Sequence, residues 1–332
     1  MKNLKKTMVV MAALLVSTVV FECASAANYP TRPVELLIPM GAGGSHDINA
    51  RAVTAVVPKY LGQPMPVTLR PGASGVIGTT EVANAPKDGY KLILGGTGPN
   101  SSVPLAQEVP YNEDSFIPIA MINYSPVLVC VPGSSPYKSV KELVDAINAK
   151  PGELNYASSG LYSNQHVPIA MLWHAAGVMG KITPIQFDGG GPQVAALLGG
   201  HADVGTVFAS QVIDQLKTGA LRALAITDSQ RATAEEAEGI LANVPTLKEL
   251  GYDVVFRMWR AVLAPAGIPK DVEMYLRDVF AKLSKDKEYH ELLFKIGERS
   301  DLYLDGPDFK KFWDAERASF LPVIQAIKEL EG

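Results

Sequence analysis

Cysteine is nearly absent from this sequence, which has only Cys23 and Cys130 among its 332 residues. Two cysteines so far apart do not have the close spacing of a metal site. Cys130 stands in the apolar run 127–131, where a thiol packs as a small hydrophobic group. A reactive thiolate would need a basic and partly exposed setting instead. The sequence therefore argues against a disulfide framework, a cysteine metal site and a cysteine nucleophile.

A clustered basic surface is also missing, because 30 Lys and Arg stand against 34 Asp and Glu, for a formal net charge of −4. Proteins that bind nucleic acid present a basic face, so we expect no nucleic-acid partner. The G-x-S-x-G motif of a hydrolase nucleophile and the H-E-x-x-H motif of a zinc protease do not occur. The five histidines have no metal-type spacing. We expect no catalytic residues, no metal and no cofactor.

The N-terminus has the pattern of an export signal. Three lysines within residues 2–6 precede an apolar run over residues 8–21, and a small-residue stretch ends at Ala26. This order is typical of a cleaved secretory leader. The run has about 14 residues, fewer than the roughly 20 that a membrane span needs. We predict that residues 1–26 are a signal peptide cleaved after Ala26; a retained anchor is the alternative.

Apolar strand-like runs alternate with helical patterns along most of the chain. Residues 34–39 are predicted as a strand and 45–61 as a helix, and two further strands are predicted at 117–122 and 127–131. The alternation predicts an α/β fold with mainly parallel sheets. One complete α/β unit looks inserted into another, which would leave a cleft between two lobes. The predicted division is a first lobe of residues 27–125 plus 253–332 and a second lobe of residues 126–252.

A glycine-rich loop follows the first strand, with the sequence Gly41-Ala42-Gly43-Gly44-Ser45-His46-Asp47. Glycines let a backbone approach a ligand closely, and the helix that follows presents free N–H groups to an anion. A dinucleotide motif would need glycine where His46 stands, and a phosphate loop would need Gly-Lys-Ser or Gly-Lys-Thr. The loop therefore favours a carboxylate. Ser45 or Asp47 capping the helix is the structural alternative, and the two roles are compatible.

Four more Gly/Ser-rich turns are predicted, three of them directly after strands. Such turns meet at the carboxyl edge of a sheet, where open α/β folds bind ligands, and together they predict a polar, largely uncharged cradle. They comprise residues 70–78, 95–102, 157–164 and 188–192.

Several segments, taken in their order along the chain, resemble the periplasmic receptors of tripartite tricarboxylate transporters, also called Bug-type receptors. The resemblance covers essentially the whole chain after the leader. The segments that carry it are Tyr29-Pro30-Thr31-Arg32-Pro33, Gly43-Gly44-Ser45-His46-Asp47, Arg70-Pro71-Gly72-Ala73-Ser74-Gly75, Asp88-Gly89-Tyr90, Leu154-Asn155-Tyr156-Ala157-Ser158-Ser159-Gly160, Ala196-Leu197-Leu198-Gly199-Gly200 and Leu263-Ala264-Pro265-Ala266-Gly267.

The resemblance implies a two-lobed periplasmic-binding-protein fold, the Venus flytrap, with a ligand cleft between the lobes and without enzymatic activity. It implies a monomeric periplasmic receptor that captures a small organic carboxylate of the tri- or dicarboxylate type. The partners would be one large and one small integral membrane subunit of the transporter. The residues carried over as ligand-binding are Gly43, Gly44, Ser45, Asp47 and Thr97 from the first lobe, and Ser158, Ser159, Gly160, Ser163 and His166 from the second.

Two departures from the family pattern bear on the ligand. Met40 and Gly41 stand where many members have an aromatic residue and a proline, and Thr206-Val207 replaces a common Phe-Asp. Loss of that acidic position argues against an amino-acid ligand. Arg257 and Arg260 flank Trp259, and either of them is a candidate partner for a distal carboxylate, with a structural role as the alternative. An exported hydrolase or isomerase, and a receptor-derived sensory protein, are the competing functions.

Overall fold

The computed structural model describes residues 29–234, 236–299 and 301–331. The predicted leader lies outside the described residues. Among those described, the strands are β1 (Glu35–Ile38), β2 (Val67–Leu69), β3 (Lys91–Gly96), β4 (Phe116–Pro132), β5 (Asn155–Ser158), β6 (Thr183–Gln186), β7 (Val204–Phe208), β8 (Leu221–Ile226), β9 (Arg257–Pro265) and β10 (Leu304–Asp305). The helices are α1 (Ser45–Val56), α2 (Pro58–Leu61), α3 (Val76–Ala83), α4 (Val103–Ala106), α5 (Val140–Ala149), α6 (Val167–Ala175), α7 (Gly190–Leu198), α8 (Ala209–Lys217), α9 (Lys270–Leu283), α10 (Lys287–Lys295) and α11 (Gly306–Glu331).

The first sheet begins with three parallel strands in the order β2-β1-β3. Parallel neighbours need crossover connections, which helices usually supply, and α1 and α3 lie in these connections. Leu36, Leu37 and Ile38 of β1 are all fully buried, as expected when both faces of a parallel sheet are covered. Strand β9 then pairs antiparallel with β3. The glycine-rich loop connects the end of β1 in this sheet to the start of α1.

Strand β4 joins the two sheets. It pairs with β9 as far as Pro126, opposite Arg257. From Val127 it pairs with β7, and from Leu128 with β8, and the second sheet continues from β7 to β5 and β6. This change of sheet lies where the sequence predicts the inserted unit to begin. The residue limits of the two lobes stay a prediction.

The two strands predicted at 117–122 and 127–131 are one continuous strand. Between them, Asn123 and Ser125 are polar but fully buried, and both are paired with β9. The pairing of β4 with β9 shifts its register after Pro118 and again after Met121. Buried polar side chains broke the apolar sequence pattern here without breaking the backbone pairing.

Helix α11 connects two apolar clusters. Near its start, Phe309 and Trp313 pack around Trp259 of β9. Farther along, Phe320 and Ile324 belong to a second cluster that also contains residues of α6 and β7. The apolar positions follow helical spacing, so one face of the helix is buried along its length. The helix thus holds elements on both sides of the predicted division. No helix in the described part of the chain is long and apolar enough to cross a membrane.

Glu316 lies in the middle of α11 and turns its carboxylate inward. The side chain is half-buried, and its Oε2 accepts hydrogen bonds from Trp259 Nε1 at 2.5 Å and Ser101 Oγ at 3.1 Å. Burial raises the pKa of Glu316 from 4.5 to about 8, and these two donors only partly oppose that shift. The carboxyl group is therefore largely protonated in the folded protein at neutral pH.

Glu316 should make the folded protein less stable as the pH rises from about 4.5 to about 8. Across this interval the folded state keeps a proton that the unfolded state has released, so the free energy of unfolding falls with increasing pH. We expect Glu316→Gln to remove this part of the pH dependence in denaturant unfolding. Glu329→Gln, at an exposed position of the same helix, is the control. Identical pH profiles for the parent and Glu316→Gln would contradict the assignment.

Candidate ligand-binding cavity

A cavity of about 80 Å³ lies between the loops that follow β1, β5 and β6. Backbone and small polar side chains form most of its wall. Its lining residues are Met40, Gly41, Ala42, Gly44, Ser45, His46, Ser74, Ser159, Ser163, Asn164, Asp188, Gly189, Gly190, Gly191, Pro192 and Phe208. The lining contains no lysine or arginine, and Asp188 is its one acidic residue. An anion in this cavity would therefore be held by N–H groups and hydroxyls rather than by a cationic side chain on the wall.

The glycine-rich loop brings the N-terminus of α1 to the cavity. Gly43 has a φ of +70°, which glycine adopts without strain, and Gly44 is the residue before the helix. The Asp47 carboxylate accepts a hydrogen bond from Gly43 N at 2.9 Å. The side chain of Asp47 thus folds back onto the loop and orients it. The first N–H groups of α1, which lack partners within the helix, remain available to a ligand.

The N-terminus of α7 reaches the same cavity from the second sheet. Gly189 precedes this helix with a φ of +99°. A Cβ atom at Gly190 would come within 2.3 Å of Gln211 Nε2, so the loop packs closely against α8. At Gly191 a Cβ would meet nothing within 4 Å. Two helix N-termini, each with the positive end of its dipole, therefore line one small cavity.

His46 contributes a neutral imidazole to the wall. The side chain is 3% exposed, and its Nε2 has no hydrogen-bond partner among the described residues. Burial, reinforced by the nearby charge of Arg260, lowers the pKa of His46 to about 3. The imidazole is consequently uncharged at neutral pH. It neither attracts an anion by charge nor holds a metal with neighbours, since no group of metal-ligand side chains occurs among the described residues.

Four of the ten predicted site residues line the cavity: Gly44, Ser45, Ser159 and Ser163. Two others shape the loops behind these. Gly43 makes the turn before α1, and Gly160, with a φ of +106°, lies so close to Ser74 that a Cβ would be 2.9 Å from its hydroxyl. The first two predicted turns of each lobe therefore do meet in space.

The remaining predicted site residues face elsewhere. Thr97 Oγ1 accepts a hydrogen bond from Trp259 N at 3.2 Å, and Ser158 Oγ donates to Gln186 Oε1 at 2.5 Å. The Asp47 carboxylate accepts from Gly43 N within its own loop. His166 Nδ1 accepts from Tyr162 N at 3.1 Å, and its Nε2 lies 3.1 Å from the Tyr156 hydroxyl. Burial lowers the pKa of His166 to about 4. His166 lines a different cavity, of about 310 Å³, beside α6. Asp47, Thr97 and Ser158 lie within predicted turns and His166 lies shortly after one, but these side chains are hydrogen-bonded within the protein.

Several cavity residues are absent from the predicted set. Ser74, Asn164 and the glycines 189–191 belong to turns that the sequence analysis had singled out, without assigning their residues to the site. Phe208 closes β7, and only its position at a strand end could have indicated it. Met40 and Gly41 form wall positions, as their departure from the family pattern had suggested.

Hydrogen bonds beside the cavity join the two predicted lobes. Ser45 Oγ lies 3.0 Å from Ser210 Oγ, and Ser102 Oγ donates to the Tyr162 carbonyl at 2.6 Å. Asn164 Oδ1 also accepts a hydrogen bond from the Gly98 N–H. These bonds close the cleft around the cavity.

Residues 49–330 match the sequence profile described as tripartite tricarboxylate transporter family receptor. The chain is 33% identical to BugT of Bordetella pertussis over 286 residues, which make up 83% of this chain and 84% of that protein. This chain belongs to the tripartite tricarboxylate transporter receptor family.

Solved structures place the receptor in the same fold. MatC of Rhodopseudomonas palustris with bound malate gives a TM-score of 0.80 at 25% identity, covering 89% of this chain and 100% of that one. A second R. palustris protein, solved with adipate, gives a TM-score of 0.82 at 28% identity, covering 90% of this chain and 98% of that one. The periplasmic binding protein BugD gives a TM-score of 0.79 at 27% identity, covering 91% of this chain and 99% of that one.

These similarities confirm the predicted α/β, two-lobed periplasmic-binding-protein fold. The receptor is a member of a binding-protein family and not an enzyme, so the hydrolase or isomerase alternative is wrong. The family also confirms the predicted function, a solute-binding receptor, whose structural relatives bind carboxylates.

Proposed function

We propose that this receptor captures a small dicarboxylate in the cavity between α1 and α7, and delivers it to the integral membrane subunits of a tripartite transporter. The observation that carries the ligand assignment is the pair of helix N-termini lining one closed cavity without a cationic side chain on the wall. Each N-terminus offers unpaired N–H groups and a favourable dipole to one carboxylate. The bound malate and adipate of the two R. palustris relatives support the same class.

The closed cavity also favours dicarboxylates over larger members of the predicted class. A volume of about 80 Å³ suits a short, flexible chain better than a tricarboxylate or an aromatic acid. Gly44, Ser45, Ser159 and Ser163 would contact the ligand, and Gly43, Gly160 and Asp47 would hold the loops in place. Thr97, Ser158 and His166 would act only through their neighbours.

Export and delivery complete the proposal. The leader over residues 1–26 directs the chain to the periplasm and is cleaved after Ala26, and the mature receptor acts as a monomer. Closure around the ligand presents both lobes together, and the large and small membrane subunits would recognise that closed state because binding shifts the population towards it. The family to which the chain belongs supports this partnership.

A thermal-shift screen tests the ligand class. Malate, succinate and adipate, each at about 100 times its dissociation constant, should raise the melting temperature by about 5 °C, because a ligand that binds only the native state stabilises it by mass action. Citrate and benzoate should give smaller shifts, and a neutral sugar none. A shift with the sugar and none with any carboxylate would refute the proposed function.

A further inference from the structure

A buried ion pair lies directly beneath the binding loop. The side chains of Arg260 and Glu298 are 0% and 1% exposed, and Arg260 Nη1 lies 2.9 Å from Glu298 Oε2. The same nitrogen donates to Ser125 Oγ at 2.7 Å, and Arg260 Nη2 donates to Ser45 Oγ. Glu298 Oε1 in turn accepts from Asn49 Nδ2 at 3.1 Å. The pair is thus connected, through the Ser45 hydroxyl, to the wall of the cavity.

The chemistry of the guanidinium fixes how Ser45 can behave. An arginine side chain has only donors, whereas a hydroxyl has one proton and two acceptor lone pairs. Ser45 Oγ must therefore accept from Arg260, and its single proton is left to be donated elsewhere. The available acceptors in the structure are Ser210 Oγ at 3.0 Å and Glu298 Oε1 at 3.3 Å. A carboxylate that enters the cavity would be a third acceptor for that proton.

We infer that Arg260 is a positioning residue for anion recognition, which turns the Ser45 hydroxyl into a donor from behind the cavity wall. This inference rests on the proposed function, since it concerns the same site. The lining itself contains no cation, and His46 beside it is neutral, so Arg260 is the cationic group in contact with a lining hydroxyl. Glu298 makes burial of the guanidinium feasible, because an unpaired buried charge would be very costly.

The position of this pair also connects ligand binding with closure. Ser45 belongs to α1, and Ser210, its partner beside the cavity, belongs to α8. If Ser45 gives its proton to the ligand, Ser210 can donate to Ser45, so ligand and second lobe are held by the same oxygen. Arg260 would then strengthen both contacts at once, because hydrogen bonds to polarised groups reinforce one another.

The test replaces the whole ion pair, because removing one partner alone would leave a buried charge. Arg260→Met with Glu298→Met exchanges the pair for apolar side chains, a replacement that folded proteins often tolerate. We expect the dissociation constant for malate, measured by calorimetry, to rise about 10-fold or more, since hydrogen bonds to charged groups are the strong ones. Arg317→Met with Glu113→Met removes a second Arg–Glu pair, which lies 2.8 Å apart and away from the cavity, and should leave the affinity unchanged.

A double-mutant cycle with Ser45→Ala separates positioning from a merely structural role. If Arg260 acts through the Ser45 hydroxyl, the paired Met variant should cost less than about twofold in affinity once that hydroxyl is gone. Arg260→Lys, which keeps a charge but not the planar fork, should lose part of the affinity only when Ser45 is present. This variant replaces the Met pair in the cycle if the Met pair does not fold.

Two results would overturn the inference: affinity of the Met pair within twofold of the parent, or an equal loss with and without the Ser45 hydroxyl. Either leaves the proposed function intact, since the parent still binds malate. Failure of the parent itself to bind malate or adipate would overturn both.

Discussion

Gly191→Asp should weaken dicarboxylate binding by about 100-fold, whereas Gly191→Asn should change it little. Gly191 lines the cavity at the start of α7, and a Cβ atom there would meet nothing within 4 Å, so a side chain can begin at this position in both variants. The aspartate would bring a second negative charge to the cavity, and we take its separation from the ligand carboxylate as about 5 Å. At an effective dielectric constant of about 20 this repulsion costs about 3 kcal/mol, which is roughly two orders of magnitude in affinity.

Calorimetric titration of the two variants with malate or adipate measures this effect, and their melting temperatures provide the control. An acidic residue in the first turn of a helix is neutral or stabilising, so neither variant should melt much below the parent. Equal affinities for Gly191→Asp and Gly191→Asn would show that no carboxylate lies near the N-terminus of α7.

Asp228→Ala should be the most destabilising of the charge removals considered for this receptor. The Asp228 side chain is fully buried, accepts from Arg257 Nε at 2.8 Å and also receives Arg299 Nη1. Arg299 itself is 5% exposed, and without the Asp228 carboxylate its buried guanidinium keeps one charged partner, Glu236 at 3.0 Å. Breaking a buried pair typically costs about 3–5 kcal/mol of unfolding free energy, and because Glu236 remains we expect a cost of about 3 kcal/mol.

Denaturant unfolding with linear extrapolation measures this loss. Asp145→Ala is the matched control, because Asp145 pairs with Lys141 on the surface of α5, where both side chains are exposed. Such pairs contribute about 0–1 kcal/mol. A cost for Asp228→Ala within that same range would mean that the buried cluster does not contribute to stability as its geometry implies.

The order of strands and helices was largely predictable because it depends on local pattern. Helix α5, for example, has a local N-terminal signal, because the Ser139 hydroxyl that precedes it accepts a hydrogen bond from Glu142 N at 3.1 Å. Strand β4 was one exception, since polar residues buried by tertiary contacts interrupted its apolar pattern. The helix predicted at 45–61 was another, because it is divided into α1 and α2 before Pro58.

The site was predictable to the level of turns but not of side chains. Glycine and serine at strand ends indicate where backbone can approach a ligand, and the turns containing Ser45 and Ser163 do converge. Which way a side chain points depends on distant neighbours. Thr97 is turned towards β9 and His166 towards Tyr156 by contacts that no local pattern encodes.

The position of Arg260 shows the same limit more strongly. The sequence offered it as a partner for a distal carboxylate, or as a structural residue, and the structure places it behind Ser45, 215 positions away along the chain. Its other partner, Glu298, had no sequence signal at all. Only the fold brings these three residues together, because β9, α1 and the segment before β10 are remote in sequence.

Calorimetric titration of the unmodified receptor with malate and adipate, and with the neutral diamides of the same two acids, tests the central claim most directly. The diamides keep the chain length of the acids, but they carry no charge, and at each end an NH2 donor replaces one of the two acceptor oxygens. We expect single-site binding of at least one acid and at least 100-fold weaker binding of its diamide. Equal binding of acid and diamide, or no binding of either acid, would contradict the assignment of this cavity as a carboxylate site.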